Sequence, residues 1–462
     1  MQIDTTGLLE PQFKHVQKLV DSLYLNGHAV DMSETGTGKT YAAAAVIREL
    51  NRPFAVICPK SVIHQWEKIL DTFKLKAVTV INYEKLCRGG TKWMKWKKKQ
   101  DPLKPWDDKA VNQIPEFNFK SDTLVIVDEG HKCKGMDTST SWLLISLKLQ
   151  NYRILVSSAT VATTPLEMKA FGFATTLHNL VNYRNFITDS GAYVGRFGGY
   201  QIDLNSTRTV EAMTNIHDKL FNLYNVSSRM TRKMFADIFP DNHVMAECFD
   251  MGTNTDKINR IYNQMEAELA ALEESSVNYS QHHFAIMTKA RRLTELLKVP
   301  TMVEMIEDWF DEGISPVVFV NFTDTVEAIE KQLKKNKKFD GLIAKIVGGQ
   351  SDKSRQADID GFQNDSKRIM IANLAAGNAG ISLHDLNGKF PRGSVISPSY
   401  SAINLLQALG RIHRAEGKTK CIQKVMFAAG TIEEEACKRV QCKLNNIEAL
   451  NDGDLTFSVR IA

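Results

Sequence analysis

Several things this chain lacks narrow what it can be. Its seven cysteines (58, 87, 133, 248, 421, 437 and 442) include no Cys-x-x-Cys pair, and its histidines form no cluster at metal-ligand spacing. That excludes a zinc module on spacing and favours free thiols in a reducing compartment over a disulfide framework. No stretch approaches the roughly 20 apolar residues of a membrane span, and Met1 to Glu10 lacks the charged-then-apolar pattern of a secretory signal. The expectation is a soluble intracellular protein with no membrane partner. A large excess of either charge is also absent: 58 Lys and Arg against 53 Asp and Glu leave a formal net charge of +5, which permits a nucleic-acid partner without requiring one, so local charge must carry that question. No internal repeat and no long linker break the chain.

There is room for more than one core. At 462 residues, 43% hydrophobic and 24% charged, the chain exceeds one ordinary domain. Its most specific segment is Ser33-Glu34-Thr35-Gly36-Thr37-Gly38-Lys39-Thr40. Residues around Val30 suit a strand, Gly36 and Gly38 tolerate positive φ, and the Ala-rich Tyr41 to Leu50 suits a helix. A loop between strand and helix aims backbone N–H groups at phosphate oxygens, and the helix N-terminus favours the anion. Thr35, Gly36, Thr37 and Gly38 then line the phosphates of a nucleoside triphosphate, Lys39 reaches the β- and γ-phosphates, and the Thr40 hydroxyl ligates Mg²⁺. The usual first glycine of the pattern is Ser33 here.

A second motif supports the first. Thr123-Leu124-Val125-Ile126-Val127 is the continuous apolar, β-branched run expected of a strand buried on both faces of a parallel sheet. It runs directly into Asp128 and Glu129, so two carboxylates emerge at a strand's carboxyl edge, where ligands bind in open α/β sheets. Asp128 suits Mg²⁺, directly or through water, and Glu129 suits orienting and deprotonating an attacking water. No metal other than Mg²⁺ is expected.

Strand-like runs alternate with helical stretches from Phe54 onward, the pattern of an α/β fold with parallel sheets. Phe54 to Cys58, Ala77 to Ile81 and Ile154 to Ser158 extend the first sheet, while Cys87 to Phe119 reads as an insertion rich in tryptophan, lysine and proline. Thr209 to Phe239 and Asp256 to Asp311 read as helical. A second α/β pattern starts at Pro316, with strands at Val317 to Val320, Ile343 to Val347, Arg368 to Ala372, Ser394 to Ile396 and Gln423 to Phe427. Two lobes are expected, residues 1–240 and 241–462, each carrying helical segments.

The motif order resembles a superfamily 2 helicase, and specifically the SNF2-like branch. The resemblance covers nearly the whole chain and implies two RecA-like lobes in tandem. Leu9-Glu10-Pro11-Gln12 resembles the family's glutamine motif, which implies that Gln12 reads the adenine. Ile57-Cys58-Pro59-Lys60-Ser61-Val62-Ile63-His64-Gln65-Trp66 is similar to the first nucleic-acid motif, implying contacts from Lys60, Ser61 and His64, with Trp66 read as core. Asn82-Tyr83-Glu84-Lys85 resembles the next contact motif through Tyr83. Ser158-Ala159-Thr160 resembles the relay motif, with Thr160 toward the strand, although SNF2 proteins usually carry Gly-Thr-Pro there. Arg229 to Pro240 resembles the basic exit from the first lobe, and Lys298-Val299-Pro300 the approach to the second in fork-remodelling members.

In the second lobe Val317 to Thr325 resembles the fourth motif, implying contacts from Asn321 and Thr323. Asn373 to Leu383 resembles motif V, with Ala376 and Gly377 toward DNA and Gly380 toward nucleotide. Gln407-Ala408-Leu409-Gly410-Arg411-Ile412-His413-Arg414 is similar to motif VI. On a helix Arg411 and Arg414 share a face, and with Gln407 they suit the γ-phosphate side of a composite ATP site as arginine fingers.

A site split across two lobes implies closure on ATP binding and reopening on hydrolysis. The expected product is translocation of a monomeric motor along single-stranded, forked or branched DNA, largely independent of sequence. The setting is a bacterial or phage-infected cytoplasm, or a eukaryotic nucleus. In the insertion Lys92, Lys95, Lys97, Lys98 and Lys99 interleave with Trp93 and Trp96, a mixture that suits a single strand or a junction as well as a solvated loop with its tryptophans on the body.

Overall fold

The computed structural model describes residues 3–98, 113–135, 137–195, 199–203, 206–235, 239–274, 279–374, 381–398, 402–415 and 417–434. It separates into two compact units that divide between Phe235 and Ala236.

The first unit is built on β1 (His28–Asp31), β2 (Phe54–Cys58), β3 (Thr79–Asn82), the hairpin β4 (Met94–Lys98) and β5 (Gln113–Phe117), β6 (Leu124–Asp128), β7 (Arg153–Ser157), the hairpin β8 (Ala192–Val194) and β9 (Tyr200–Ile202), and β10 (Ser227–Ser228). Six of them form one wholly parallel sheet in the order β10-β1-β7-β6-β2-β3. Every residue of β1, β2 and β6 is buried, which is why β2 and the body of β6 read as unbroken apolar runs. The helix Lys39–Leu50 is covered from Ala42 to Ile47. Four successive alanines at 0–1% exposure let it pack closely against both the sheet and the helix Glu10–Asn26, which also lies on the sheet.

The second unit carries β11 (Asn242–Phe249), β12 (Ser315–Val320), β13 (Ile343–Ile346), β14 (Ile369–Asn373), β15 (Arg392–Ile396) and β16 (Cys421–Ala428). They form a second wholly parallel sheet in the order β11-β16-β15-β12-β14-β13. The helices Thr253–Glu274, Tyr279–Leu297 and Val299–Asp311 precede its central strand, as the periodicity of 256–311 indicates. Lys298 is 2% exposed, with Nζ 3.0 Å from both carboxylate oxygens of Glu433. Glu433 also accepts from the Tyr262 hydroxyl and the Ala428 N–H, so this buried charge pair is enclosed by donors. Chain folding thus ties the approach helices to the end of β16.

One expectation needs correction. Residues 209–239 do not stay helical: the helix Thr207–Asp218 passes into a π-helical turn at Lys219–Leu223, and the chain then becomes edge strand β10. β11 was likewise not expected: only Ala246 of its eight residues is buried, so it lacks the fully covered apolar run of the central strands. Among the described residues no helix is long and apolar enough to cross a membrane.

Candidate nucleotide site and nucleic-acid surface

The site of the first unit follows from strand order. β1 and β6 flank β7, and Asp31, Ser157 and Asp128 pair in one row across the three strands. Adjacent strands lie about 4.8 Å apart, so the loop after β1 and the carboxylates after β6 face each other across about 10 Å, a span suited to a triphosphate.

The loop is already folded into a cradle. Gly36 and Gly38 have φ of 91° and 88°, and Gly38 caps the helix Lys39–Leu50. Lys39 Nζ donates to the carbonyls of Ser33 and Glu34 at 3.0 and 3.1 Å. Thr37 is 2% exposed and its hydroxyl donates to the Glu34 carbonyl, while Thr35 and Thr40 are half-buried at the rim. Gln12, 3% exposed, donates from Nε2 to the Thr37 carbonyl at 3.0 Å and accepts the Leu9 N–H at Oε1. The positive φ calls for glycine at position 38, and a Cβ there would lie 2.4 Å from Gln12 Nε2 and displace that amide.

Asp128 is tightly held. Its Oδ2 accepts the Trp66 indole N–H at 2.8 Å, its Oδ1 accepts the Glu129 N–H at 3.0 Å, and its carbonyl accepts the Tyr83 hydroxyl at 2.7 Å. Burial, together with the neighbouring Glu129 charge, pushes its carboxyl up to about 7 against the opposing pull of Trp66 and Lys39. A hard divalent cation relieves that burden, and the oxygen donors Thr40 and Asp128 fit Mg²⁺, which takes one or two protein ligands beside substrate phosphates. Bound there, Mg²⁺ would neutralise phosphate charge. Glu129 adopts a left-handed backbone, φ 55° and ψ 51°, unusual for a residue with a Cβ, at the position expected to activate water. Its Oε2 lies 3.2 Å from His131 Nδ1, which is 3.3 Å from Ser158 Oγ, and that hydroxyl donates to the Thr160 carbonyl at 2.7 Å. Acid, histidine and relay motif therefore form one chain of contacts.

In the second unit the helix Ala402–Ile412 carries Gln407 and Arg411, 8% and 4% exposed. Arg414 lies just beyond the helix end, yet Arg411 NH1 and Arg414 NH2 both donate to the Ile381 carbonyl, at 3.2 and 3.1 Å. The two guanidinium groups are gathered at one point, immediately after the segment 375–380. Ala376, Gly377 and Gly380 fall in that segment, outside the described residues.

Residues 7–163 match the family model of the type III restriction enzyme res subunit, and residues 297–416 match the helicase conserved C-terminal domain. The chain is 30% identical to a protein of Acanthamoeba polyphaga mimivirus provisionally named ATP-dependent RNA helicase L364, over 98% of this chain and 85% of that one. It is 22% identical to the SWI/SNF-related matrix-associated actin-dependent regulator of chromatin subfamily A-like protein 1 homolog of Caenorhabditis elegans, over 98% of this chain, and to the DNA repair and recombination protein RAD54-like of Drosophila ananassae, over 88%. It belongs to the superfamily 2 helicases, in their SNF2-like branch. The helicase spans 63% and 57% of the lengths of those last two relatives.

The residues expected to touch nucleic acid differ in their exposure in this helicase. Lys60, Ser61 and His64 are exposed on the turn and first helical residues after β2, and Thr323 is exposed at the start of the helix Thr323–Leu333. Tyr83 and Asn321 need correction. Tyr83 is 2% exposed, with its hydroxyl committed to Asp128. The Asn321 amide donates to Glu295 Oε2 at 2.6 Å and to the Pro398 carbonyl at 3.0 Å. Glu295, 2% exposed, also accepts the Ser397 hydroxyl and the Asn321 and Phe322 N–H groups, and so organises the carboxyl edge of the second sheet. Thr160 is 5% exposed. In the insertion, Trp93 stacks on Phe119 with ring centroids 5.7 Å apart and Trp96 donates to the Cys87 carbonyl, so both rings pack on the core. Lys92, Lys95 and Lys97 face outward from the same hairpin.

Sequence reasoning missed four contributors: His15, Asp31, Glu295 and the polar role of Trp66. The only hint was Asp31 closing an apolar strand, as Asp128 does.

Proposed function

We propose that this helicase hydrolyses ATP to translocate along DNA and to unwind or remodel forked and branched duplexes, as replication, recombination and repair require. The observation that carries the ATP reading is the row Asp31-Ser157-Asp128, which sets the Lys39 loop and the Asp128-Glu129 pair on either side of β7. In this reading Lys39 leaves the Ser33 and Glu34 carbonyls for the triphosphate, Gln12 reads the base, and Glu129, oriented by His131, takes the proton of the attacking water. Arg411 and Arg414 supply the transition-state charge; their convergence on Ile381 supports a joint role.

The choice of DNA is supported by the chromatin-regulator and RAD54-like relatives. The mimivirus relative supports a second reading, an RNA helicase. Steady-state ATPase and strand-separation assays on single strands, duplexes, forks and four-way junctions, each in DNA and RNA, separate them. Stimulation and unwinding greatest on forked DNA uphold the proposal; preference for RNA moves it to the second reading. Robust ATPase without separation of any strand leaves a duplex translocase. Glu129→Gln should abolish turnover and retain ATP binding, and undiminished hydrolysis in that variant would overturn the mechanism.

A further inference from the structure

Ser33 occupies the position that phosphate-binding loops usually give to glycine, and its surroundings account for the exchange. Its backbone is not among the positive-φ residues, so glycine's freedom is not used there. Its side chain is fully buried: Oγ accepts the Met230 N–H at 2.9 Å and lies 3.5 Å from His15 Nε2. The Ser33 N–H donates to Asp31 Oδ1 at 2.9 Å. His15, 4% exposed, sets Nε2 3.2 Å from Asp31 Oδ2 and Nδ1 2.8 Å from Ser228 Oγ. A ring proton on Nε2 serves Ser33 Oγ, with the Asp31 carboxylate close beside it, while Nδ1 accepts the Ser228 hydroxyl. Burial alone would raise Asp31, but His15, Ser33 and Lys39 outweigh it and hold the carboxyl below its usual range, so the network keeps its charge.

The same edge grips the next residue. The Glu34 N–H donates to the Met230 carbonyl at 2.9 Å, and Glu34 Oε1 pairs with Arg229 at 3.1 Å. Ser33 and Glu34 are also the residues whose carbonyls hold Lys39. The rest position of the lysine is thus fixed from beneath by His15 on the first helix and by the chain leaving β10.

We propose that Ser33, seated by His15 and the Met230 N–H, is a positioning residue that sets the affinity of the phosphate-binding loop for the triphosphate while leaving the chemical step to other groups. The proposal rests on the reading that this loop binds ATP. Without the hydroxyl the Met230 N–H is buried with no acceptor, and the loop must shift or open to satisfy it.

The test compares Ser33→Gly, Ser33→Ala, His15→Ala and the double variant Ser33→Ala/His15→Ala. Binding of a fluorescent ATP analogue and steady-state ATPase are measured in variants whose thermal unfolding stays cooperative. Both Ser33 variants should raise Kd and KM for ATP about 5- to 10-fold, with kcat within about twofold. His15→Ala should do the same, and the double variant should be little worse than either single one, because one network is lost once. Ser228→Ala, whose hydroxyl reaches the loop only through His15, should give a smaller loss in the same direction. Unchanged or tighter ATP binding in Ser33→Gly, or a fall confined to kcat, overturns the proposal while ATP binding by the unaltered chain still upholds the loop. Absence of ATP binding by the unaltered chain overturns both.

Discussion

The indole N–H of Trp66 donates to Oδ2 of Asp128 across 2.8 Å, in a pocket where both residues are buried. An aromatic ring that reads as core from its sequence position is also a polar clamp on the carboxylate expected beside Mg²⁺. The contact opposes the burial that burdens Asp128. Trp66→Phe keeps a smaller aromatic ring in the core and removes the donor, so the fold should survive with some loss of stability. A loss of about 1.4 kcal/mol, in the upper part of the range of an ordinary hydrogen bond, predicts a roughly tenfold fall in kcat and weaker half-saturation by Mg²⁺. Magnesium titrations of ATPase activity check this; an unaltered titration would show that the indole does not position the acid.

Asp128 also predicts a pH dependence of stability. Its folded-state carboxyl sits near 7 against a usual value of 3.8 because burial and Glu129 disfavour the charge. The folded protein therefore holds a proton that the unfolded chain releases, and stability falls as pH rises from about 4 through 7. Asp128→Asn removes that burden. In nucleotide-free protein it should raise Tm by a few °C at pH 8 and by much less at pH 5, while abolishing turnover. Calorimetry at the two pH values decides it, and equal gains at both would contradict the sign.

The Lys298–Glu433 pair predicts non-additivity. Lys298→Met alone leaves a buried carboxylate with no cation and should cost about 3–5 kcal/mol, and Glu433→Gln should cost a similar amount. The double variant Lys298→Met/Glu433→Gln should recover most of the loss. Urea denaturation of all four proteins gives the coupling energy directly.

The hairpin after Cys87 predicts a salt effect without a nucleotide effect. Lys92, Lys95 and Lys97 face outward, Lys97 beside Glu116. Replacing all three by glutamine should lower the slope of log affinity for single-stranded DNA against log salt by up to about 2, at roughly 0.7 per phosphate contact. ATP binding should be unchanged. An identical salt slope would leave the hairpin a structural element.

Much of the site was legible because its parts are local. Val125-Ile126-Val127 into Asp128-Glu129 announces a buried parallel strand ending in acids, and Gly36 to Thr40 announces a loop and a helix start, each within a few residues. What escaped depends on distant partners. Trp66 meets Asp128 from 62 positions away, and His15 meets Ser228 from 213. Nothing local distinguishes Glu295 from a solvated helix acid, yet it takes the Asn321 amide that the fourth-motif resemblance assigned to DNA. Ser227–Ser228 is too short and too polar to read as a strand, although it closes the first sheet.

The closing of the second sheet has a consequence for how this chain is made. Among the described residues β11 pairs along its whole length with β16 and with no other strand, and Asn242 meets Cys421, about 180 residues later. At roughly 5–20 residues per second, a ribosome takes some ten to forty seconds to supply that partner. Until then β11 presents bare N–H and C=O groups beside apolar surface, a template for pairing with another nascent chain. A truncation before Cys421 makes that interval permanent, so such fragments should aggregate even though their phosphate-binding loop is intact.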